Sequence, residues 1–475
     1  MIAGLKPYTE YRDSGLPWLG QVPAHWEVRR IKSVLREVDR RSAAGVEPLL
    51  SLRMQAGLVD HHALGGRPIP PSALVGYKRV LPGEIVMNRM RASAGLFAAA
   101  RTDGLVSPDY AIFRSVGLAN VAYLVELFRT PALGAIFRLE STGLGTGESG
   151  FLRLYSDQFG RLAIPIPPVA EQAAIVRFLD WANGRLEKAI RAKRKVIALL
   201  VEQKQAVIQR AVTRGLDSGA LLKSSGIPWL GEIPIHWEVR RLGSAISVLT
   251  GYPFASAEFV RHEGAVRLLR GVNVTPSGVR WSEVVRWQRR PGDRLERFEL
   301  QVGDIVLGMD RPVIRAGVRA TSLEATDTPS LLLQRVARMR PTENLQARFL
   351  LLLLRGGIFS EYILPIFTGI SVPHLSPEQI KAFKVALPPT CEQEAIADSI
   401  EVSTAGIAST VARIEREIDL LREYRTRLVA DVVTGKLDVL EVASRLPKDA
   451  ATGFETEPDD EADEPEFIDE EVTEA

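Results

Sequence analysis

The stretch that comes nearest to a chemical site is "STGLGTGESG", where Gly145, Gly147 and Gly150 have the spacing of a dinucleotide-binding turn. Such a turn lets backbone amides close on a pyrophosphate, and it needs a strand before it and a helix after it. The residues that follow are "FLRLYSDQ", which do not open a helix, so a Gly-rich loop is the expectation. "VTGKL" has the Gly-Lys of a phosphate-binding loop without the rest of the motif. Pro167–Pro168 and Pro388–Pro389 are followed by Val169 and Thr390. They lack the Asn or Asp before and the aromatic after with which an adenine amino-methyltransferase grips a flipped base. His61–His62 has no third ligand at metal-binding spacing. No pair of carboxylates is singled out by its spacing. The expectation is a chain with no catalytic residue and no metal ligand of its own.

The elements around these residues repeat. "SGLPWLGQVPAHWEVRRI" (Ser14–Ile31) returns 211 residues later as "SGIPWLGEIPIHWEVRRL" (Ser225–Leu242), with thirteen of eighteen positions identical. Trp18, Trp26, Trp229 and Trp237 make each copy too apolar and bulky for a linker, so each is expected to dock onto a matching surface as the chain enters a globule. His25 and His236 recur inside it and read as structural turn residues. A second pair, "IPIPPVAEQAAIVRFLD" from Ile164 and "VALPPTCEQEAIADSIE" from Val385, is offset by 221.

Behind that second pair, two segments share one heptad register. The first runs Ile175, Leu179, Ala182, Leu186, Ile190, Lys193, Ile197, Leu200, Lys204, Val207, Ala211. The other runs Ile396, Ile400, Ser403, Ile407, Val411, Ile414, Ile418, Leu421, Arg425, Leu428, Val432. Each predicts a long helix opened by its Pro-Pro pair and closed by glycine, Gly215 and Gly435. Lys204 and Arg425 share a seam position and read as long side chains reaching out of an imperfect seam, with register-fixing as the sharper alternative. Between the repeats lie two strand-rich regions, roughly 32–165 and 243–386, whose frames are alike ("LPGEIVMNRM", "LQVGDIVLGM") and whose exposed residues differ.

Composition bounds the partners. The net charge of +2 conceals an asymmetry, since twelve acids lie between Glu455 and Glu474. Without them 60 basic residues face 46 acidic ones, a body basic enough for a polyanion and a tail that reads as disordered and solvating. A lone cysteine, Cys391, excludes an internal disulfide. No long apolar run and no signal-like N-terminus are present, so a cytoplasmic chain with no membrane partner is expected.

The quoted entry segments resemble those of specificity subunits of type I restriction-modification systems. The "PP…EQ" blocks, each running into a long helix closed by Val-Thr-Arg-Gly or Val-Thr-Gly, are similar to that family's helical spacers. "GYKRVLPGEIVMNRMRA…DGLVSPDYAIFR" and "GYPFASAEF…GDIVLGMDR…TGISVPHLS" resemble two types of target-recognition domain. The resemblance runs from about residue 8 to 440. It implies an α/β class made of α+β globules with long helices: two target-recognition domains and two antiparallel coiled-coil helices in pseudo-twofold arrangement. The expected divisions are 1–165 and 216–388 for the recognition domains with their entry segments, 166–215 and 389–440 for the spacer helices, and 441–475 for the tail.

The resemblance further implies a non-catalytic subunit that reads a split site on double-stranded DNA. Its partners are two methyltransferase subunits and the restriction/translocase subunits, with Trp18, Trp26, Trp229 and Trp237 marking the partner-binding segments. It binds no cofactor itself; S-adenosylmethionine, ATP and Mg belong to the partners. A stand-alone methyltransferase or nuclease, and a coiled-coil protein scaffold, are the alternatives. DNA reading needs donors and acceptors at base edges and phosphates. Asn88, Arg89 and Arg91 after one strand, with Ser107 and Tyr110 on a later loop, are the first region's candidates. Arg270, Asn273, Asp310, Arg311 and Arg315 are the second's. Each has a plain alternative: Asn88 as a turn cap, Tyr110 and Trp287 as core aromatics, Arg315 as a solvated side chain.

Overall fold

The computed structural model describes residues 5–447 apart from 55, 66–67, 118, 145–150, 315–316 and 368–372. The acidic tail, Arg315 and the Gly145–Gly150 loop therefore lie outside the described residues. The described chain divides into two units: one drawn from residues before 193 and after 416, the other from Lys193–Arg416.

In the first unit the chain enters through β1 (Glu27–Arg30), then forms β2 (Leu35–Val38), β3 (Ile85–Asn88), β4 (Phe97–Ala99) and β5 (Tyr110–Ser115). Helix α1 (Val121–Phe128), strand β6 (Ala163–Ile166) and the long helix α2 (Val169–Arg214) follow. The second unit repeats this as β7 (Glu238–Arg241), β8 (Ile246–Thr250), β9 (Ile305–Gly308), β10 (Ala320–Ser322), β11 (Val336–Pro341), α3 (Ala347–Arg355), β12 (Lys384–Leu387) and α4 (Thr390–Val433). The central sheets are antiparallel, four-stranded and ordered alike, β2-β5-β3-β4 and β8-β11-β9-β10. Entry and exit strands pair in each unit, β1 with β6 and β7 with β12.

The sheets read as nearly continuous apolar runs because both faces are covered. Side chains alternate across a strand. Ile85, Met87, Phe97, Ala111 and Phe113 therefore enter the core shared with the helices, while Val86, Ala98 and Ile112 close a smaller core with Leu50, Leu52 and Val106. The second sheet divides the same way, Ile305, Leu307, Ala337 and Met339 on one face and Val306 and Val336 on the other. The second unit also carries a further cluster, Phe254, Leu268, Leu295 and Leu331, with no counterpart among the described residues of the first.

The long helices have 46 and 44 residues, about 69 and 66 Å at 1.5 Å per residue. Each starts where a Pro-Pro pair ends: Pro168 O accepts from Glu171 N and Gln172 N, and Pro389 O from Glu392 N and Gln393 N. In the first unit the start of α2 (Ile175, Phe178, Leu179, Ala182) packs with the end of α4 (Leu428, Val432, Val433). In the second unit the end of α2 (Ile208, Ala211, Val212) shares a core with the start of α4 (Ile396, Ile400). Within each unit the two helices thus run in opposite directions. The heptad pattern holds with one correction. Ser403 is exposed, and the neighbouring Thr404 is buried instead, its hydroxyl returned to Ile400 O at 2.8 Å. A hydroxyl that satisfies itself on the preceding turn can face the core. Arg425 does more than reach outward: it pairs with Glu187 of α2 at 3.4 Å.

Candidate nucleic-acid interface

The repeated sentences recognise each other. Trp26 Nε1–H donates to Glu171 Oε1 (2.9 Å), and His25 Nε2 lies 2.8 Å from Glu171 Oε2. Trp237 Nε1–H donates to Glu392 Oε1 (3.1 Å), and His236 Nε2 lies 2.9 Å from Glu392 Oε2. The "HW" of each entry segment therefore clamps the "EQ" at the start of a long helix. The adjacent glutamine completes the clamp. Gln172 accepts from Asn120 N and donates to Pro167 O, at 2.6 and 2.7 Å. Gln393 accepts from Gln346 N and donates to Pro388 O, at 2.8 and 2.9 Å. The other long helix ends against the same tryptophan. A Cβ on Gly435 would sit 3.0 Å from Trp26, and one on Gly215 would sit 3.2 Å from Trp237. Both glycines have positive φ, so close approach and left-handed geometry each call for glycine.

Trp26 and Trp237 are 1% and 0% exposed, so their surface is engaged inside this chain rather than offered to a partner. Trp18 and Trp229 are half-buried. Trp229 Nε1–H donates to Lys384 O, and its ring packs on Tyr362 and Phe383.

This scaffold carries polar side chains at one end of each central sheet. In the first unit Tyr110 faces Asn88 across the β5–β3 pair. Asn88 accepts from Met90 N (2.9 Å) and Arg91 N (3.1 Å), so its oxygen caps the turn that the sequence left as an alternative. Arg89 is fastened to Glu37 at 2.9 Å, and Leu154 N donates to its carbonyl. Ser107 is half-buried and its hydroxyl caps Asp109 N; Arg91 is exposed. Beneath them lies Lys78, 3% exposed, donating to Tyr110 O at 2.8 Å. Burial, then the neighbouring Arg89, push its ammonium below the usual lysine range. Sequence reasoning missed Lys78. Its signal is weak: one of two adjacent cations, Lys78 and Arg79, in a three-residue strand. Arg153, also missed, lies 3.6 Å from Asp109 on the same rim.

In the second unit Asn273 is 2% exposed. Its amide accepts from Arg270 N and donates to Arg280 O, which removes it from the surface. Arg270 is half-buried and holds Glu283. Arg311 is exposed. Asp310 is paired on both oxygens, with Arg335 at 2.8 Å and His374 at 2.6 Å. Burial raises the Asp310 carboxyl, but hydrogen bonds from Arg335 and His374 outweigh it and hold it below the usual carboxylate range. Neither Arg335 nor His374 stands near Asp310 in sequence; strand pairing brings them there. His61, outside these clusters, is partnered by Ser51 at 3.2 Å.

No single helix among the described residues is long and apolar enough to cross a membrane. The most apolar pair, Ala347–Arg355 with Gly357–Phe367, is bent by 58°, and its Phe349, Leu350, Leu353 and Phe359 are core residues.

No family model matches the chain. Over 286 residues it is 28% identical to the type I restriction enzyme MjaVIII specificity subunit of Methanocaldococcus jannaschii, covering 59% of this chain and 63% of that one. Over 174 residues it is 35% identical to the EcoAI specificity subunit of Escherichia coli, covering 36% of this chain and 28% of that one. The matched stretches span less than two thirds of these relatives' lengths. A chain from a structural study of complex assembly and conformational transition of the type I R-M system shares the fold, with a TM-score of 0.54 and 14% identity over 87% of this chain and 98% of that one. In sequence the chain is similar to specificity subunits of type I restriction enzymes, and it shares the fold seen in the type I R-M study.

Proposed function

We propose that the chain is the DNA-reading subunit of a type I restriction-modification complex. Each half reads one part of a split site on double-stranded DNA, and the long helices set the number of unread bases between the parts. The chain acts in the cytoplasm and directs two methyltransferase subunits and the restriction/translocase subunits to the site, with the rims of the entry segments around Trp18 and Trp229 as their docking points. S-adenosylmethionine, ATP and Mg act on those partners, and this subunit catalyses nothing alone.

One observation supports this most strongly. The two sheets match strand for strand, yet equivalent positions at their reading ends differ in chemistry. Where the first has Asn88 opposite Tyr110, the second has Gly308 opposite Val336. A repeated frame with unrepeated polar side chains suits two independent readers, whereas an enzyme needs one convergent constellation. Arg89, Arg91, Ser107, Tyr110 and Arg153 are the first reader's contacts, with the Asn88 amide nitrogen beside them. Arg270 and Arg311 belong to the second.

The test is binding of the purified chain to random and genomic duplexes across a salt series, with labelled S-adenosylmethionine and magnesium added in parallel. Affinity should fall steeply with salt, by about 0.9 in log-log slope per phosphate contacted. Neither methyl transfer nor cleavage should occur until the methyltransferase and restriction subunits are supplied. Catalysis by the chain alone, or salt-independent binding, contradicts the assignment.

A further inference from the structure

We infer that Arg335, with His374 beside it, is the base-reading element of the second half, that its target is a guanine edge in the DNA major groove, and that Asp310 is its positioning residue. The inference rests on the DNA-reading role proposed above and adds which side chains confer specificity.

Three segments meet at this point and are stitched by their backbones. Met309 N donates to Arg335 O (2.9 Å), Arg311 N to Pro373 O (2.8 Å) and Leu375 N to Met309 O (2.8 Å). Arg319 braces them from below, its Nη1–H donating to Asp310 O and its Nε–H to Val274 O, at 3.2 and 3.1 Å. Arg319 passes directly over Gly308, where a Cβ would be in ordinary contact with its guanidinium carbon at 3.4 Å. On this platform Asp310 binds Arg335 with one oxygen and His374 with the other. The Arg335 side chain is 63% exposed and that of His374 48%, against 29% for Asp310. Arg335 and His374 face solvent and the acid stands behind them.

Two physical points favour a reader over a surface ion pair. Among the described residues three non-glycines have positive φ, and two of them, Arg311 (43°) and Arg335 (67°), flank this cluster. Left-handed backbone at an arginine persists only where the surroundings enforce it, and such strain gathers at binding sites. An arginine has five N–H donors in a planar fork. Asp310 takes one through Nη1, which leaves the Nε and Nη2 edge for the paired acceptors O6 and N7 of guanine. Fixing the fork beforehand reduces what binding must order. A carboxylate on a DNA-facing surface repels phosphate, so its presence is explained by what it holds. Each Asp310 oxygen already accepts one hydrogen bond from this pair, so its part here is to hold Arg335 and His374. At the equivalent backbone positions the first half has Asp109 and Arg153, an acid and a cation, where the second has Arg335 and His374, so the two halves present different chemistry.

The test is selection of bound duplexes from a random pool by the full chain, followed by affinity measurement on the recovered site. The wild-type chain should recover a split motif. Arg335→Ala should erase one guanine in the second part and weaken binding to the original site roughly 10- to 100-fold. Arg335→Lys should lose the same guanine while keeping affinity for random duplex. Asp310→Asn should blur that position and leave random-duplex affinity unchanged or higher, since a negative charge is removed. Equal weakening on every duplex by Arg335→Ala, with the motif intact, would mean a phosphate contact only and overturn the inference, as would an unchanged motif and affinity. Recovery of no motif by the wild type defeats the DNA-reading role itself, a separate outcome.

Discussion

The two clamps that join entry segment to long helix are built from the same words and differ in depth. Glu171 has a side chain 6% exposed and gathers His25, Trp26 and also Tyr8, whose hydroxyl donates at 2.5 Å. Burial, then the Glu171 hydrogen bond, hold the Tyr8 hydroxyl far above its usual range. Glu392 has a side chain 27% exposed and gathers only His236 and Trp237 among the described residues. In the first unit Tyr123 adds a further tie, its hydroxyl lying 3.1 Å from Pro165 O and 3.0 Å from Val433 O. Its counterpart in the second unit is Phe349, equally buried and without a hydroxyl. In the second unit the chain runs directly from the end of α2 into its entry segment. In the first unit that continuity is replaced by hydrogen bonding, Asp438 N to Lys6 O at 2.7 Å. The extra polar ties thus occur where a covalent connection is missing.

The largest effects should come from the shared part of the clamp. Trp26→Ala and Trp237→Ala each empty a fully buried site and should cost about 3–5 kcal/mol. Two units need not unfold together, so hydrogen exchange resolved by segment is the measurement, and each loss should be confined to the unit that carries the change. Uniform loss across both units would contradict the division. Next come the carboxylates. Glu171→Ala leaves Trp26 and Tyr8 donors unpaired in a dry site and should cost about 2–4 kcal/mol, whereas Glu392→Ala, in a wetter one, should cost about 1. Equal losses would erase the distinction between the clamps.

Much of this frame is legible in the sequence, and the reason is physical. The docking sentence is repeated because its target is repeated. His-Trp at offset 211 and Glu-Gln at offset 221 are one interaction written in two places. What a single chain does not show is which repeated segment meets which, so Trp26 and Trp237 read as surface for partners. The helical seam was legible from its apolar spacing, but Ser403 and Thr404 are alike in polarity, and only packing decides which faces inward. The polar ends of the two sheets are least legible. An asparagine beside a turn can cap it or contact a base, and Asn88 and Asn273 both bond the backbone. Arg335 and His374 are 25 and 64 residues from Asp310, a proximity created wholly by strand pairing.

Two smaller changes sharpen the comparison by turning one half toward the other. Tyr123→Phe imitates Phe349 and should cost about 1 kcal/mol in the first unit. Glu126 lies on α1 where α3 carries Leu352. Burial raises its carboxyl above the usual range, with Arg129 opposing. An acid raised in the folded state weakens the fold as pH climbs from its unfolded value through its folded one. Glu126→Leu should therefore stabilise the first unit by roughly 0.5–1 kcal/mol at neutral pH, and the gain should vanish under acid conditions. Denaturation of the first unit followed against pH checks both magnitude and sign.

The proposed arrangement is one repeated scaffold that holds two independent readers. It is tested most directly by exchanging residues 243–386 for the corresponding region of a related chain and sequencing the methylated adenines in cells that also supply the methyltransferase subunits. The expected result is a split motif whose first part and gap are unchanged while its second part is replaced. Changes in both parts, or an altered gap with both parts intact, would contradict it.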